Sequence, residues 1–130
     1  MQQLLIPRER ALKLDKKTLH ELEKMLECSI EIKDDNLVTV SGNEYNEFNA
    51  KNVMMAFGRG FDVKSACRLL HDDIFLKVVN LKELFKNEDR IKVVKGRVIG
   101  KGGKSKAYIE SVSGTEISIY GSTISIIGTP

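Results

Sequence analysis

Tryptophan is absent from this 130-residue chain, aromatic residues are 6% of it, and there are two cysteines, two histidines and two prolines. Each scarcity closes off a class of function. Cys28 and Cys67 stand alone with no C-x-x-C spacing, so neither a zinc site nor a thiol catalyst is signalled, and both are expected as buried free thiols. His20 and His71 have no accompanying serine, cysteine or carboxylate in a catalytic pattern. The pairs Asp34-Asp35 and Asp72-Asp73 sit where acids are common, in a turn and before a strand, rather than in a metal-ligand spacing. No apolar run approaches the roughly 20 residues that span a bilayer, and no secretory segment follows Met1. The sequence therefore predicts a cytoplasmic protein without a cofactor or catalytic centre.

What is present is a core-forming fraction of 42% hydrophobic residues, enough for one ordinary domain or two small ones. The net charge of +3 is unevenly spread. Residues 1–60 carry nine basic and ten acidic side chains, whereas 61–130 carry twelve and eight. A polyanionic partner is thus expected on the second half, where neutralising phosphates would release counterions. The charge concentrates in residues 90–106, with seven Lys or Arg, no acid, and four of the ten glycines. Glycines let backbone N–H groups approach an anion closely, and the lysines add charge, so this is a phosphate-binding pattern.

Shifting the sequence by 87 residues aligns Arg10-Ala11-Leu12 with Arg97-Val98-Ile99, Lys17-Thr18 with Lys104-Ser105, Leu22-Glu23 with Ile109-Glu110, and Ile30 and Ile32 with Ile117 and Ile119. Two copies of one unit follow. In the first, Leu4-Leu5-Ile6 predicts a strand, Arg8 to Leu14 a short helix, and Asp15 the cap of a second helix with Leu19, Leu22, Met25 and Leu26 inward. Ser29–Lys33 and Leu37–Val40 predict a hairpin around Asp34-Asp35-Asn36. From Asn43 a third helix should bury Tyr45, Phe48, Val53 and Phe57, ending at Gly58 and Gly60. A bridging helix is expected over Val63–His71. In the second copy, Ile74–Val79 should be a strand, Asn87–Lys95 and Lys104–Ser111 helices flanking the glycines, and Glu116–Tyr120 with Thr123–Ile127 a hairpin. Thr129-Pro130 look like the cap and first residue of a further helix, so the second unit reads as C-terminally incomplete.

Three readings compete for Gly100-Lys101-Gly102-Gly103-Lys104-Ser105. A Walker A loop needs G-x-x-x-x-G-K-[ST], and its first glycine would fall on Val98. A dinucleotide G-x-G-x-x-G would need glycine at Ser105. A G-x-x-G between two helices, preceded by Val98-Ile99, is the loop by which KH modules hold a single nucleic-acid strand. On that reading Lys101 and the amides of Gly100, Gly102 and Gly103 hold phosphates, while Lys95, Arg97, Lys104 and Lys106 add longer-range attraction. Ile99, Ile109, Ile117 and Ile119 would form an apolar groove for bases, with main-chain groups of Glu116–Tyr120 reading base edges. The plain alternative is a solvated basic loop with structural glycines.

Residues 95–104, Ile109-Glu110, Ser113-Gly114-Thr115 and 117–121 resemble a type I KH domain, and Phe57-Gly58-Arg59-Gly60-Phe61 with Leu69-Leu70 extend the likeness. The whole chain resembles the archaeal two-KH-domain RNA-binding proteins related to eukaryotic small-subunit processome KH factors. The resemblance implies an α+β fold of tandem type I KH domains (βααββα): a degenerate KH domain over 1–60, a bridging helix over 61–72 and a KH domain over 73–130. It also implies single-stranded RNA as partner, small-subunit rRNA maturation near the 3′ end, and the alpha subunit of archaeal initiation factor two and a pre-rRNA endonuclease as further partners. Two departures stand out. The first copy has Lys13-Leu14-Asp15-Lys16 in place of the glycine loop, and Lys106 replaces a usually aliphatic residue. The first domain is therefore expected to be a platform or a protein-docking surface, and a protein-interaction scaffold is the alternative function.

Overall fold

The computed structural model describes every residue from Met1 to Pro130, a mixed α+β chain with two three-stranded antiparallel sheets. It divides into two compact units, Met1–Leu70 and His71–Pro130. No helix is long and apolar enough to cross a membrane.

The first unit runs β1 (Gln2–Leu5), α1 (Arg8–Ala11), α2 (Lys16–Leu26), β2 (Ser29–Lys33), β3 (Leu37–Ser41), α3 (Glu44–Gly58) and α4 (Val63–Cys67), closed by a 3₁₀ turn at Arg68–Leu70. Pro7 precedes α1, which stops three residues short of the expected Leu14, and Asp15 caps α2. Its Oδ1 accepts the Thr18 N–H at 2.8 Å, offsetting one of the unpaired donors of the first turn. The β2–β3 turn places Asp34 and Asp35 at φ 52° and 70°, conformations that short polar side chains tolerate. The sheet order is β1-β3-β2, with Ile30 opposite Val40 and Ile32 opposite Val38. Leu22, Leu26, Ile30, Val38, Val40, Val53, Met54 and Phe57 form the core. Burying such a side chain stabilises by about 1.5–3 kcal/mol.

Two helix faces differ from expectation. Met25 is exposed, because α2 turns Leu22 and Leu26 inward at i, i+4. Tyr45 and Phe48 are also exposed, and the inward face of α3 is Glu47, Ala50, Val53, Met54 and Phe57. The cause is Glu47. Its carboxylate accepts from the Gly42 N–H at 2.9 Å and from the N-terminal ammonium at 3.0 Å, so an acid occupies a position that hydrophobic periodicity assigns to apolar residues. At the other end of α3, the buried Arg10 donates from Nε to Phe57 O at 2.9 Å and from Nη2 to Phe61 O at 2.7 Å, with its guanidinium 4.3 Å from the Phe57 ring centroid. It satisfies the Phe61 carbonyl and gives a second donor to that of Phe57, which also accepts the Gly60 N–H at 3.1 Å. The helix expected over Val63–His71 ends at Cys67 and tightens into the 3₁₀ turn.

The second unit runs β4 (Phe75–Asn80), α5 (Leu81–Leu84), α6 (Glu88–Ile99), a 3₁₀ turn (Lys101–Gly103), α7 (Lys104–Ser113), β5 (Glu116–Tyr120) and β6 (Thr123–Gly128). Its sheet order β4-β6-β5 repeats that of the first unit. The short α5, capped by Asn80, carries no helical period long enough to be seen in sequence, yet it buries Leu81. α6 continues four residues beyond the expected Lys95, since Gly96 lies in an exposed turn where nothing crowds it. α7 runs two residues beyond Ser111 and ends on Gly114 at φ 69°. In the first unit α3 packs on the sheet. Ile109 on α7 is 39% exposed, against 1% for Leu22 at the equivalent position of α2.

Candidate nucleic-acid interface

The basic loop is shaped by three left-handed glycines with different reasons for being glycine. Gly100 ends α6, its N–H donating to Gly96 O at 2.8 Å, and has φ 72° and ψ 173°, a conformation essentially reserved for glycine. A Cβ there would meet Ser105 Cβ at 2.6 Å and its backbone N at 2.7 Å, so Gly100 is also required by packing. Gly102 (φ 63°) and Gly103 (φ 77°) are left-handed too, but a Cβ on either would meet nothing within 4 Å. Their bareness leaves open space on the outer side of the loop, around an exposed Lys101. The first copy folds without a glycine at the equivalent Lys13, because α2 enters from a different turn in which Leu14 is buried.

The helix that follows begins without a side-chain cap. Gly103 is its N-cap residue and supplies no acceptor, so the first N–H groups of α7 face outward with the positive end of the helix dipole. In the first unit the same corner is closed by Asp15, whose carboxylate both accepts the Thr18 N–H and is held below the usual carboxylate range by that bond. Asp15 stands at the position equivalent to Gly102. One unit thus supplies its own anion at the helix start, and the other starts its helix with no side-chain acceptor, flanked by Lys101 and Lys104, although the Gly103 N–H donates to Gly100 O at 3.2 Å.

The remaining predicted residues fall into three groups. Arg97 is exposed on the last turn of α6. Lys95 and Lys106 have partners within the protein: Lys95 Nζ donates to Gly121 O at 2.6 Å, and Lys106 Nζ lies 3.4 Å from Glu110 Oε1. Lys106 therefore adds less unbalanced charge than its position suggests. Among the isoleucines, Ile99 is 37% exposed, Ile109 is similarly open and Ile119 is half-buried. Ile117, at 7%, is a core side chain and offers no surface to a base.

β5 is an edge strand, so one row of its peptide groups points away from β6. The Ile117 N–H belongs to that row, because it donates to Glu110 Oε2 at 2.9 Å. Residues alternate in an antiparallel ladder, so Ile119 presents its N–H and C=O to the same open edge. Glu110 had been given no role from sequence. Its signal was the alignment of Leu22-Glu23 with Ile109-Glu110, for Glu23 Oε2 accepts the Ile30 N–H at 3.0 Å in the same way. Elsewhere, burial pushes the thiols of Cys28 and Cys67 up, away from reactive thiolate, and no three His, Cys, Asp or Glu side chains gather as metal ligands.

Residues 75–130 match the family described as eukaryotic type KH-domain (KH-domain type I). A KH domain-containing protein of Methanocaldococcus jannaschii is 38% identical over 112 residues, covering 82% of this chain and 49% of that protein. The pre-rRNA-processing protein pno1 of Schizosaccharomyces pombe is 36% identical over 77 residues, covering 58% of this chain and 32% of that protein. The chain thus spans about half or less of the length of these relatives. Among solved structures, the complex of a/eIF2alpha, aDim2p and rRNA from Pyrococcus horikoshii matches at 32% identity and a TM-score of 0.87, over 99% of this chain and 76% of that chain.

Proposed function

This chain belongs to the KH-domain family of the Dim2 and PNO1 pre-rRNA-processing factors, and on that footing we propose that its second unit holds single-stranded RNA through the Gly100–Gly103 loop. The observation that carries the proposal is the uncapped start of α7, where Asp15 fills the corresponding corner of the first unit. Phosphates lie against the Gly102 amide and the first turn of α7, with Lys101 and Lys104 beside them; Arg97 and, behind its hydrogen bond, Lys95 supply longer-range attraction. Bases stack on Ile99 and Ile109, and the outward peptide group of Ile119 reads one base edge. Mechanism is recognition, not turnover.

The first unit is the degenerate KH partner in a tandem arrangement. Its β-α-α-β-β-α order and sheet order β1-β3-β2 support that reading, and its capped corner argues against the same grip on RNA. The RNA is rRNA and the alpha subunit of archaeal initiation factor two is a second partner, by extension from the named content of the Pyrococcus complex and of the pre-rRNA-processing relatives, and the family resemblance of the sequence narrows that RNA to the small subunit near its 3′ end. Tyr45, Phe48 and Met55, all exposed on α3, favour an additional protein-docking role for the first unit. The test is RNA binding by the chain carrying Lys101→Asp and Gly102→Asp, which places acid where phosphate would lie.

A further inference from the structure

Both units tie a helix to the open edge of their sheet with the same bond, glutamate to a backbone N–H seven positions later: Glu23 to Ile30 at 3.0 Å and Glu110 to Ile117 at 2.9 Å. The donor strands, β2 and β5, are the equivalent edges of the two sheets. The bond persists in the first unit although the glycine loop does not. Its general effect is to close one donor on an edge that would otherwise template strand pairing.

In the second unit the same bond has a further consequence. The outward row of β5 offers two N–H groups within reach of the groove, those of Ile117 and Ile119, because Glu116, Ser118 and Tyr120 face β6 in the alternation. Two equivalent donors on one edge would let a base sit at either, two residues apart. Glu110 removes the first. Its Oε2 takes the Ile117 N–H while its Oε1 lies 3.4 Å from Lys106 Nζ, which holds the carboxylate from its other side. The counterpart of Lys106 in the first unit is Leu19, so only the glutamate that borders the basic loop is braced by a cation.

We propose that Glu110 is a positioning residue that sets the register of RNA on this unit: by occupying the Ile117 N–H it leaves Ile119 as the one edge peptide a base can pair with, and so makes base choice depend on a single position. This inference rests on the RNA-binding reading above. It concerns which base is selected, whereas the loop governs whether RNA binds at all. Removing the carboxylate opens a second register, and discrimination between bases falls more than affinity does.

The experiment measures binding of the whole chain to a single-stranded oligonucleotide from the small-subunit rRNA 3′ region and to its single-base variants, alongside amide hydrogen exchange at Ile117 and Ile119. In the unaltered protein the Ile117 amide is protected with and without RNA, and the Ile119 amide gains protection only when RNA is added. Glu110→Ala lowers the preferred-to-variant affinity ratio by at least about fivefold, the scale of one base-edge contact. Glu110→Gln, whose side-chain carbonyl still accepts the Ile117 N–H, keeps the ratio within about twofold of the unaltered protein.

Retained discrimination in Glu110→Ala, or equal loss in Glu110→Gln and Glu110→Ala, would overturn the inference. Should Glu110→Ala not fold, the exchange data on the unaltered protein decide: RNA-induced protection that appears at Ile117 rather than Ile119 contradicts it. Failure of the underlying reading looks different, since binding would then be indifferent to Lys101→Asp with Gly102→Asp.

Discussion

Asp15 Oδ1 accepts the backbone N–H of Thr18 at 2.8 Å, and at the equivalent corner of the second unit the chain has glycine. The same helix start is closed by a built-in anion in one unit and left open, beside two lysines, in the other. The two backbones differ, Asp15 being extended at φ −77° and Gly102 left-handed at φ 63°, so an acid introduced at 102 bears the left-handed penalty and its binding is compared only in protein confirmed folded.

The capping bond makes its own prediction. Asp15→Ala should lower the unfolding midpoint by about 3 °C in thermal melts followed by circular dichroism, the usual effect of losing a helix N-cap. Asp15 belongs to a set of three carboxylates held below their ordinary range: Asp15 and Asp62 by the N–H of Thr18 and Ser65, Glu47 by the N–H of Gly42 and then the N-terminal ammonium. Because the folded state binds these protons less readily than the unfolded chain, their contribution is complete above the unfolded values. It is lost as pH falls through the folded ones. Stability should hold from about pH 7 to 5 and drop steeply below about pH 4. A melting temperature unchanged between pH 5 and 3 would contradict this.

Gly100 and Gly102 should separate under the same substitution. Gly100→Ala forces a Cβ to 2.6 Å from Ser105 Cβ in a conformation that alanine does not adopt, and should cost about 2–3 kcal/mol in urea unfolding. Gly102→Ala meets open space and bears only the left-handed penalty, about 1 kcal/mol. Equal costs would mean that Ser105 moves aside freely.

Arg10 and Arg97 occupy equivalent places in the repeat, and their substitutions should act on different properties. Arg10→Ala leaves the Phe61 carbonyl without its side-chain donor, takes one of two donors from Phe57 O and empties a buried site, at a cost of about 3 kcal/mol. Arg97→Ala, at an exposed position, should change stability by less than about 0.5 kcal/mol while lowering the salt dependence of RNA binding by roughly one phosphate contact. The paired measurements are chemical denaturation and binding across a salt series.

The repeat and the strands were legible because alternation and turn residues are local: Ser29–Lys33, Leu37–Ser41 and Glu116–Tyr120 lie within a residue of where the pattern places them. The loop was legible because three glycines and two lysines have few other uses in that context. What escaped depends on contacts across the chain. Glu47 reaches back to Gly42 and the N-terminus and reverses the apparent face of α3, a bond that no hydrophobic period encodes. Ile117 carries the same symbol as Ile119 in an alternation, yet one is core and the other half-open. Glu110 was visible only as half of an aligned pair, and its role needed the strand edge to be located first.

The central claim is that RNA is held at the Gly100–Gly103 loop, and one comparison tests it most directly. The unaltered chain and the chain with Lys101→Asp and Gly102→Asp are titrated with single-stranded small-subunit 3′-region RNA at physiological salt, both confirmed folded by circular dichroism. The account predicts that the double substitution weakens binding by at least about thirtyfold and flattens its salt dependence, because phosphates lose their nearest lysine and meet two carboxylates instead. Equal affinity and equal salt slope for the two proteins would contradict it.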